Sequence, residues 1–224
     1  MLAGSFPARS TSRNCAICAK PPKGLLKTAI SHWLSFSETN EIGAPLPDKM
    51  FSFLSGLDRA ALNRLDGPRL VEKRKRFTAV RDITALGGDA FLIVGGLLAC
   101  LLQASLAGPI EAAKLFAFLA IGRALGWALK AVFRRKRPPG PVAGVETFTS
   151  SFPSIHTSSA FSLFTAIGFV ASHGEVGLSL ASGAVMGAVV GSTRLIFRVH
   201  WPSDVLTGYA LGLIYSALAI SFFL

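Results

Sequence analysis

Three short stretches of this chain carry side chains suited to a charged substrate. The first is Lys130 followed by Arg134-Arg135-Lys136-Arg137 and Pro138-Pro139; the second is Phe152-Pro153-Ser154-Ile155-His156-Thr157; the third is Thr193-Arg194, His200 and Asp204. Taken singly, each has an ordinary explanation. A basic flank anchors a helix end, Pro and Ser begin a helix, and a His-Trp pair sits at an interface. Together they supply cations, two histidines and one carboxylate. Phosphoryl transfer needs little else: oxygens clamped by positive charge and a nucleophile placed in line.

The spacing inside each stretch sharpens this. Lys130 and Arg137 are seven residues apart, two helical turns, so a continuous helix puts them on one face until Pro138 stops it. Ser154 and His156 fall at a predicted helix start, where free amides and the positive dipole end favour an anion. A histidine in that first turn can protonate a phosphoester oxygen. Pro202 is predicted to open another helix, leaving His200 in the loop before it and Asp204 in its first turn. A carboxylate so placed can hold one imidazole nitrogen and leave the other free to attack.

The elements that must position these residues are long apolar stretches. Five spans are expected at about 87–107, 110–133, 154–172, 176–197 and 204–224, each close to the length that crosses hydrocarbon. Helices are the natural choice, since backbone facing lipid must satisfy its own hydrogen bonds. Every span reverses direction, so the loops after 133 and after 197 lie on one membrane face, together with the start of the third span. Gly183-x-x-x-Gly187-x-x-x-Gly191 is expected to let another helix approach closely. Ahead of the spans, Lys49 to Leu65 carries Phe51, Leu54, Leu57, Leu62 and Leu65 at helical spacing, which predicts an amphipathic helix lying on the membrane.

Composition agrees. Hydrophobic residues make up 51% of the 224 and charged residues only 16%, against roughly 25% charged in soluble domains. The net charge of +11 suits an anionic membrane surface or a phosphorylated substrate, and the hydrophobicity argues against nucleic acid. Cys15 and Cys18 have no second pair with which to build a zinc site, and Cys100 lies in an apolar run. The acid-poor opening, with Arg9, Arg13, Lys20, Lys23 and Lys27 before the first acid at Glu38, reads as a basic tail or a transit-type segment. Gly24 to Phe36 reads as a short or interfacial helix. Two regions are therefore expected: an amino-terminal tail with interfacial helices over 1–80 and a membrane-embedded domain over 81–224.

Lys130-x6-Arg137-Pro138, Pro153-Ser154-Ile155-His156 and Thr193-Arg194-x5-His200-x3-Asp204 resemble, in order and spacing, the three signature motifs of the type 2 phosphatidic acid phosphatases. That superfamily also holds bacterial acid phosphatases and vanadium haloperoxidases. The resemblance covers about residues 80 to 224 and implies an all-α polytopic membrane helix bundle. It also implies metal-independent hydrolysis of a phosphate monoester or diphosphate on a membrane lipid, with no cofactor. Lys130, Arg137, Arg194 and Ser154 would bind phosphate, His200 would form a phosphohistidine, Asp204 would orient His200, and His156 would protonate the leaving alkoxide. Phosphatidate, phosphatidylglycerophosphate, undecaprenyl diphosphate and a lipid A phosphate are candidate substrates.

Two positions depart from the family pattern. Ile155 stands where the family has Gly, and a β-branched residue is expected to narrow the backbone's approach to an anion. Thr193 stands where the family has Ser and keeps the hydroxyl. The family's membrane members have six spans, one more than the five expected here. Arg123, seven residues before Lys130, is expected to pair with Asp89 or to line the substrate path. Arg134, Arg135, Lys136 and Arg198 read as general attraction for anionic headgroups. A phosphotransferase, or a non-catalytic lipid-binding protein that keeps the fold, remains as an alternative. The resemblance implies a cell (inner) membrane protein working on the periplasmic side, whereas the run Lys73-Arg74-Lys75-Arg76 on the same face points to the cytoplasm. Lipid identity and oligomeric state stay open.

Overall fold

The computed structural model describes residues 48–65, 72, 74–142 and 149–223. Among these, seven helices form: α1 (Asp48–Arg64), α2 (Arg74–Ala85), α3 (Asp89–Ala107), α4 (Pro109–Phe133), α5 (Ile155–Ala171), α6 (Val176–Ile196) and α7 (Pro202–Phe223). They belong to one unit, Pro45–Leu224. The described chain is all-helical, as expected. The cysteine pair, the 24–36 stretch and the start of the basic run at Lys73 lie outside the described residues.

Four helices, α3, α4, α6 and α7, are long and apolar enough to cross a membrane. The third expected span, α5, is shorter at 17 residues. The other spans begin and end within about two residues of their expected limits, and local chemistry explains why. Gly108 closes α3 at φ 96°, a left-handed conformation that suits glycine, and Pro109 opens α4 where its missing N–H costs nothing. The α5–α6 turn uses Gly174 at φ 90°, and the Glu175 carboxylate caps α6 by accepting from Leu178 N at 2.5 Å. Both turns are tight and lie at the end of the bundle away from the three polar stretches.

The bundle is built around α5, which contacts α3, α4, α6 and α7. Its buried residues include Thr157, Ser158, Ser159, Ser162 and Thr165 beside Phe161, Leu163 and Ala166. Four of these hydroxyls are bonded: Thr165 Oγ1 donates to Phe161 O at 2.9 Å, Ser158 Oγ donates to Ile155 O at 3.1 Å, Thr157 bonds Ser154 and Ser159 accepts from Arg123. Large apolar residues on α3 and α4 are instead exposed, among them Leu97, Leu98, Leu101 and Phe116. In water such a face would be an unstable patch; in a bilayer it faces its proper solvent. The protein is an integral membrane protein on this architecture.

The glycines of α6 set its distance from α5. A Cβ at Gly183 would stand 2.7 Å from the Phe161 carbonyl oxygen, and one at Gly187 would stand 3.0 Å from the Phe161 ring. Tyr215 of α7 likewise stacks on Phe118 of α4 at 5.2 Å and donates its hydroxyl to Phe118 O at 2.6 Å. Helix α1 forms where the apolar spacing predicts, with Leu62 buried inward and Leu57 64% exposed. Helix α2, which the sequence reading leaves unassigned, packs Phe77 and Val80 against Phe197 and Val199.

Gly183→Ala should lower the thermal midpoint of the detergent-solubilised protein, since overpacking typically costs about 1–3 kcal/mol. Gly56→Ala in α1, where a Cβ meets nothing within 4 Å, should raise stability by at most about 1 kcal/mol through helix propensity. Equal midpoints for the two variants would mean that α5–α6 contact does not depend on the missing side chain.

Candidate active site

The carboxyl ends of α4 and α6 and the amino ends of α5 and α7 meet at one end of the bundle. Two backbone bonds lock that meeting. Ser154 N, at the start of α5, donates to Asp204 O in the first turn of α7 at 3.0 Å, and Ser151 N donates to Arg135 O at 2.8 Å. The end is polar but well buried: Lys130, Arg135, Ser154, Arg194, His200 and Asp204 are each less than a tenth exposed.

Arg137 does not lie on the α4 face shared with Lys130. Helix α4 ends at Phe133, with Arg134 in the left-handed region at φ 42°, so Arg137 follows in non-helical chain. It reaches the site by another route. Its Nε donates to Thr149 O at 2.8 Å and its Nη1 to Val199 O at 2.6 Å. The same Nη1 stands 3.4 Å from Nε2 of His200. Lys130 donates to Ser150 O, and the charges of Arg137, Asp204 and Arg194 all act on it. Arg194 donates from Nη1 to Thr84 Oγ1 of α2 at 2.9 Å, while its Nε is buried without a partner. Thr193 donates to the same Thr84 hydroxyl at 2.8 Å. Three cations thus converge with no carboxylate paired directly to any of them among the described residues. An unbalanced buried positive charge of this kind calls for an anion.

His200 is 2% exposed. A guanidinium carries only N–H groups, so Arg137 assigns Nε2 as the acceptor and puts the ring proton on Nδ1. Nδ1 faces Asp204 Oδ2 at 3.7 Å, longer than a hydrogen bond, and has no hydrogen-bond partner. Such contacts in catalytic sites tighten when substrate is bound. Burial, helped by Arg194 and Arg137 and opposed by Asp204, pushes His200 down to about 4. The imidazole is therefore neutral near pH 7. Burial also draws the Arg137 guanidinium below its ordinary value, with Asp204 acting the other way. His156 opens α5 and interacts electrostatically with His200, Arg194 and Lys130, so both histidines share the site. Ser154 Oγ is engaged with Thr157 Oγ1 at 2.8 Å.

Arg135 corrects the sequence reading most sharply. It is not a loose cation for headgroups. It is buried, with Nη1 donating to Asp204 Oδ1 and Nη2 to Asp58 Oδ2, each at 2.6 Å. Its guanidinium lies 4.7 Å from the Phe51 ring centre and 5.5 Å from that of Trp201. Asp58 and Thr84, both from helices ahead of the motifs, also contact the polar end, and the sequence reading misses them. Arg123 pairs with Asp89 and donates to Ser159 Oγ at 3.0 Å. Ile155 is 3% exposed and turned onto α4, where its side chain meets the position of Gly126. Among the described residues no group of three or more His, Cys, Asp or Glu side chains is placed to hold a metal ion.

The family model for the PAP2 superfamily matches residues 111–224, which spans all three polar stretches. The chain belongs to the PAP2 superfamily. Two solved structures have a similar fold. The crystal structure of the first transmembrane PAP2 type phosphatidylglycerolphosphate phosphatase from Bacillus subtilis matches with a TM-score of 0.63 at 21% identity, over 88% of this chain and 94% of that one. The LpxE structure from Aquifex aeolicus matches with a TM-score of 0.50 at 23% identity, over 65% of this chain and 85% of that one. No curated protein matches the sequence.

Removing Arg135 would leave Asp58 and Asp204 buried as facing carboxylates without their cation. Breaking a buried pair in this way costs about 3–5 kcal/mol. Arg135→Ala should therefore lose several degrees or more in thermal midpoint, while exposed Lys136→Ala should stay within about 0.5 kcal/mol of the parent. Matching midpoints would show that the Asp58–Arg135–Asp204 contact is not formed.

Proposed function

We propose that this PAP2 protein hydrolyses a phosphate monoester or diphosphate on a membrane lipid, without a metal, through a phosphohistidine on His200. One observation carries the reading: at the end of lipid-length helices, a buried neutral imidazole presents Nε2 to the Arg137 guanidinium at 3.4 Å and Nδ1 toward Asp204 at 3.7 Å. The nucleophile's lone pair points where the cations would hold a phosphate.

In the proposed reaction Arg137, Arg194 and Lys130 clamp the phosphate oxygens, and the hydroxyl of Ser154 and the free amides at the start of α5 hold another. Nε2 of His200 attacks phosphorus in line. The N–P bond forms as the P–O bond to the lipid breaks, and His156 gives its proton to the departing alkoxide. Positive charge grows on the His200 ring during this step, and Asp204 stabilises it through Nδ1–H. A water then attacks phosphorus, loses its proton to His156, and breaks the N–P bond. Inorganic phosphate leaves and both histidines regain their starting states. The site's position explains the lipid preference: a headgroup enters the polar end while its chains stay in hydrocarbon. The phosphatidylglycerolphosphate named for the Bacillus subtilis neighbour makes a phospholipid monoester a natural first substrate.

Phosphate release from a panel of phospholipid monoesters and isoprenoid diphosphates, run with excess chelator, tests this. His200→Ala should lower kcat on the order of 10³-fold or more, as loss of a nucleophile does. Equal release by both proteins would end the proposal.

The pH profile of kcat/KM offers a second test. His200 attacks only when neutral, so the rate should hold on the acid side until pH falls through about 4, where the ring takes a proton. The alkaline limb follows loss of the His156 proton, giving a bell. An acid limb near 6.5, the ordinary histidine value, would place His200 in water and contradict the buried geometry.

A further inference from the structure

Asp58 lies in α1, ahead of residue 111 where the family match begins. It is nonetheless 4% exposed and inside the polar end of the bundle. Its Oδ1 accepts from Ser203 N at 2.9 Å. Its Oδ2 accepts from Ser203 Oγ and from Arg135 Nη2, each at 2.6 Å. Ser203 is the residue before Asp204, and its hydroxyl also accepts from Arg135 Nη1 at 2.7 Å. The group closes as a ring: Asp58, Arg135 and Ser203 each touch the other two, and Arg135 passes on to Asp204 Oδ1 at 2.6 Å.

We propose that Asp58 is a positioning residue for the proposed reaction, which through Arg135 aims the Asp204 carboxylate at His200 and keeps net negative charge behind the imidazole. This rests on the hydrolysis reading for its consequence, not for its geometry.

The aim follows from bond directions. Arg135 occupies Oδ1 of Asp204 and Trp201 N donates to Oδ2 at 2.9 Å. Fixing both oxygens fixes the carboxylate plane, and Oδ2 is the atom that faces Nδ1 of His200. The charge follows from counting. Arg135 alone would neutralise Asp204 and leave a dipole behind the ring. With Asp58 added, two carboxylates share one guanidinium and the set carries a net −1. That charge favours the positive ring of the transition state and of the phosphohistidine. Both oxygens of Asp58 are used as acceptors, so the carboxylate supplies a brace between α1 and α7 as well as the second charge.

The His200 titration and the charge-retaining Asp58→Glu variant separate charge from bracing. The charged and titratable groups facing His200 are Asp204 from α7, Arg194 from α6, Arg137 from the segment after α4, and His156 from α5. Asp58 is outside this set and touches none of it except through Arg135 and Ser203. Asp58→Asn keeps the shape and one acceptor oxygen but loses the charge and one accepting atom, whereas Asp58→Glu keeps both. In the full chain in detergent, the ring-nitrogen NMR signals of His200, assigned by their absence in His200→Ala, should titrate at lower pH in Asp58→Asn than in the parent. The same variant should lose kcat on the order of 10- to 100-fold, the range seen when partners behind a metal-bound histidine are removed, at nearly constant KM. Asp58→Glu should recover part of the loss. An unmoved His200 titration with parental kcat overturns the proposal. A moved titration in a protein that releases phosphate from no lipid overturns the hydrolysis reading and leaves the positioning role standing. Should Asp58→Asn fail to fold, Ser203→Ala keeps both charges and the direct Asp58–Arg135 contact but removes the hydroxyl that both also bond, loosening the aim of the Asp204 carboxylate. It should cost several-fold in kcat at constant KM, and an unchanged kcat would overturn the proposal.

Discussion

A guanidinium buried between two carboxylates governs the polar end of this bundle. Arg135 is held by Asp58 on one side and Asp204 on the other, and all three are nearly free of solvent. Taking such groups out of water costs several kcal/mol per ion unless every donor and acceptor is matched. Here the matching is nearly complete: Ser203 through its amide and hydroxyl, Trp201 through its amide, and two aromatic faces against the guanidinium. The cost of desolvation therefore favours this arrangement of α1, α7 and the segment after α4, in which the buried charges are matched. The position of His200 follows from it, since its neighbour across the ring is the carboxylate that Arg135 holds.

The rest of the fold serves that end by being unlike it. Away from the site the bundle holds together by close approach without large side chains, with the glycines of α6 against Phe161 and Gly122 beneath the Tyr215 ring. In hydrocarbon there is no hydrophobic drive between helices, so contact area and satisfied hydroxyls must supply the stability. This explains why the central helix α5 is rich in Ser and Thr and yet buried. It also explains why the three cations can stand together: a rigid, tightly packed frame opposes the relaxation by which like charges would otherwise separate.

Much of this was legible in the sequence, and the failures have physical causes. Long apolar runs bounded by Gly-Pro or Pro mark helices in lipid almost by necessity, so α3, α4, α6 and α7 begin and end close to where they were expected. The spacing of His200 and Asp204 likewise survives folding, because Pro202 starts the helix between them. The helical face proposed for Lys130 and Arg137 fails because nothing local announces that Arg134 adopts a left-handed cap. Arg137 reaches His200 from extended chain, through bonds to residues 149, 150 and 199 that no periodicity encodes. Arg135 was misread for a related reason. In a run of four basic residues, composition cannot distinguish the one that turns inward, and its partner Asp58 lies 77 residues away. A hint existed in α1, where an acid at position 58 falls among the apolar residues of an amphipathic pattern.

Ile155 shows how a departure from a motif is absorbed by packing. A branched side chain beside a phosphate site threatens to block backbone amides only if it points into the site. Here it points out of it, onto α4 at Gly126, one turn before Lys130. The Ile155 side chain lies against Gly126 at 3.4 Å from the position a Cβ would take, an ordinary van der Waals contact. The residue thereby moves from the chemistry of the loop to the α4–α5 interface, where burying it contributes about 1.5–3 kcal/mol. The same contact ties the helix that carries Lys130 to the helix that carries His156. The substitution thus does more than spare the site: it adds a fixed distance between two of the groups that the proposed reaction requires.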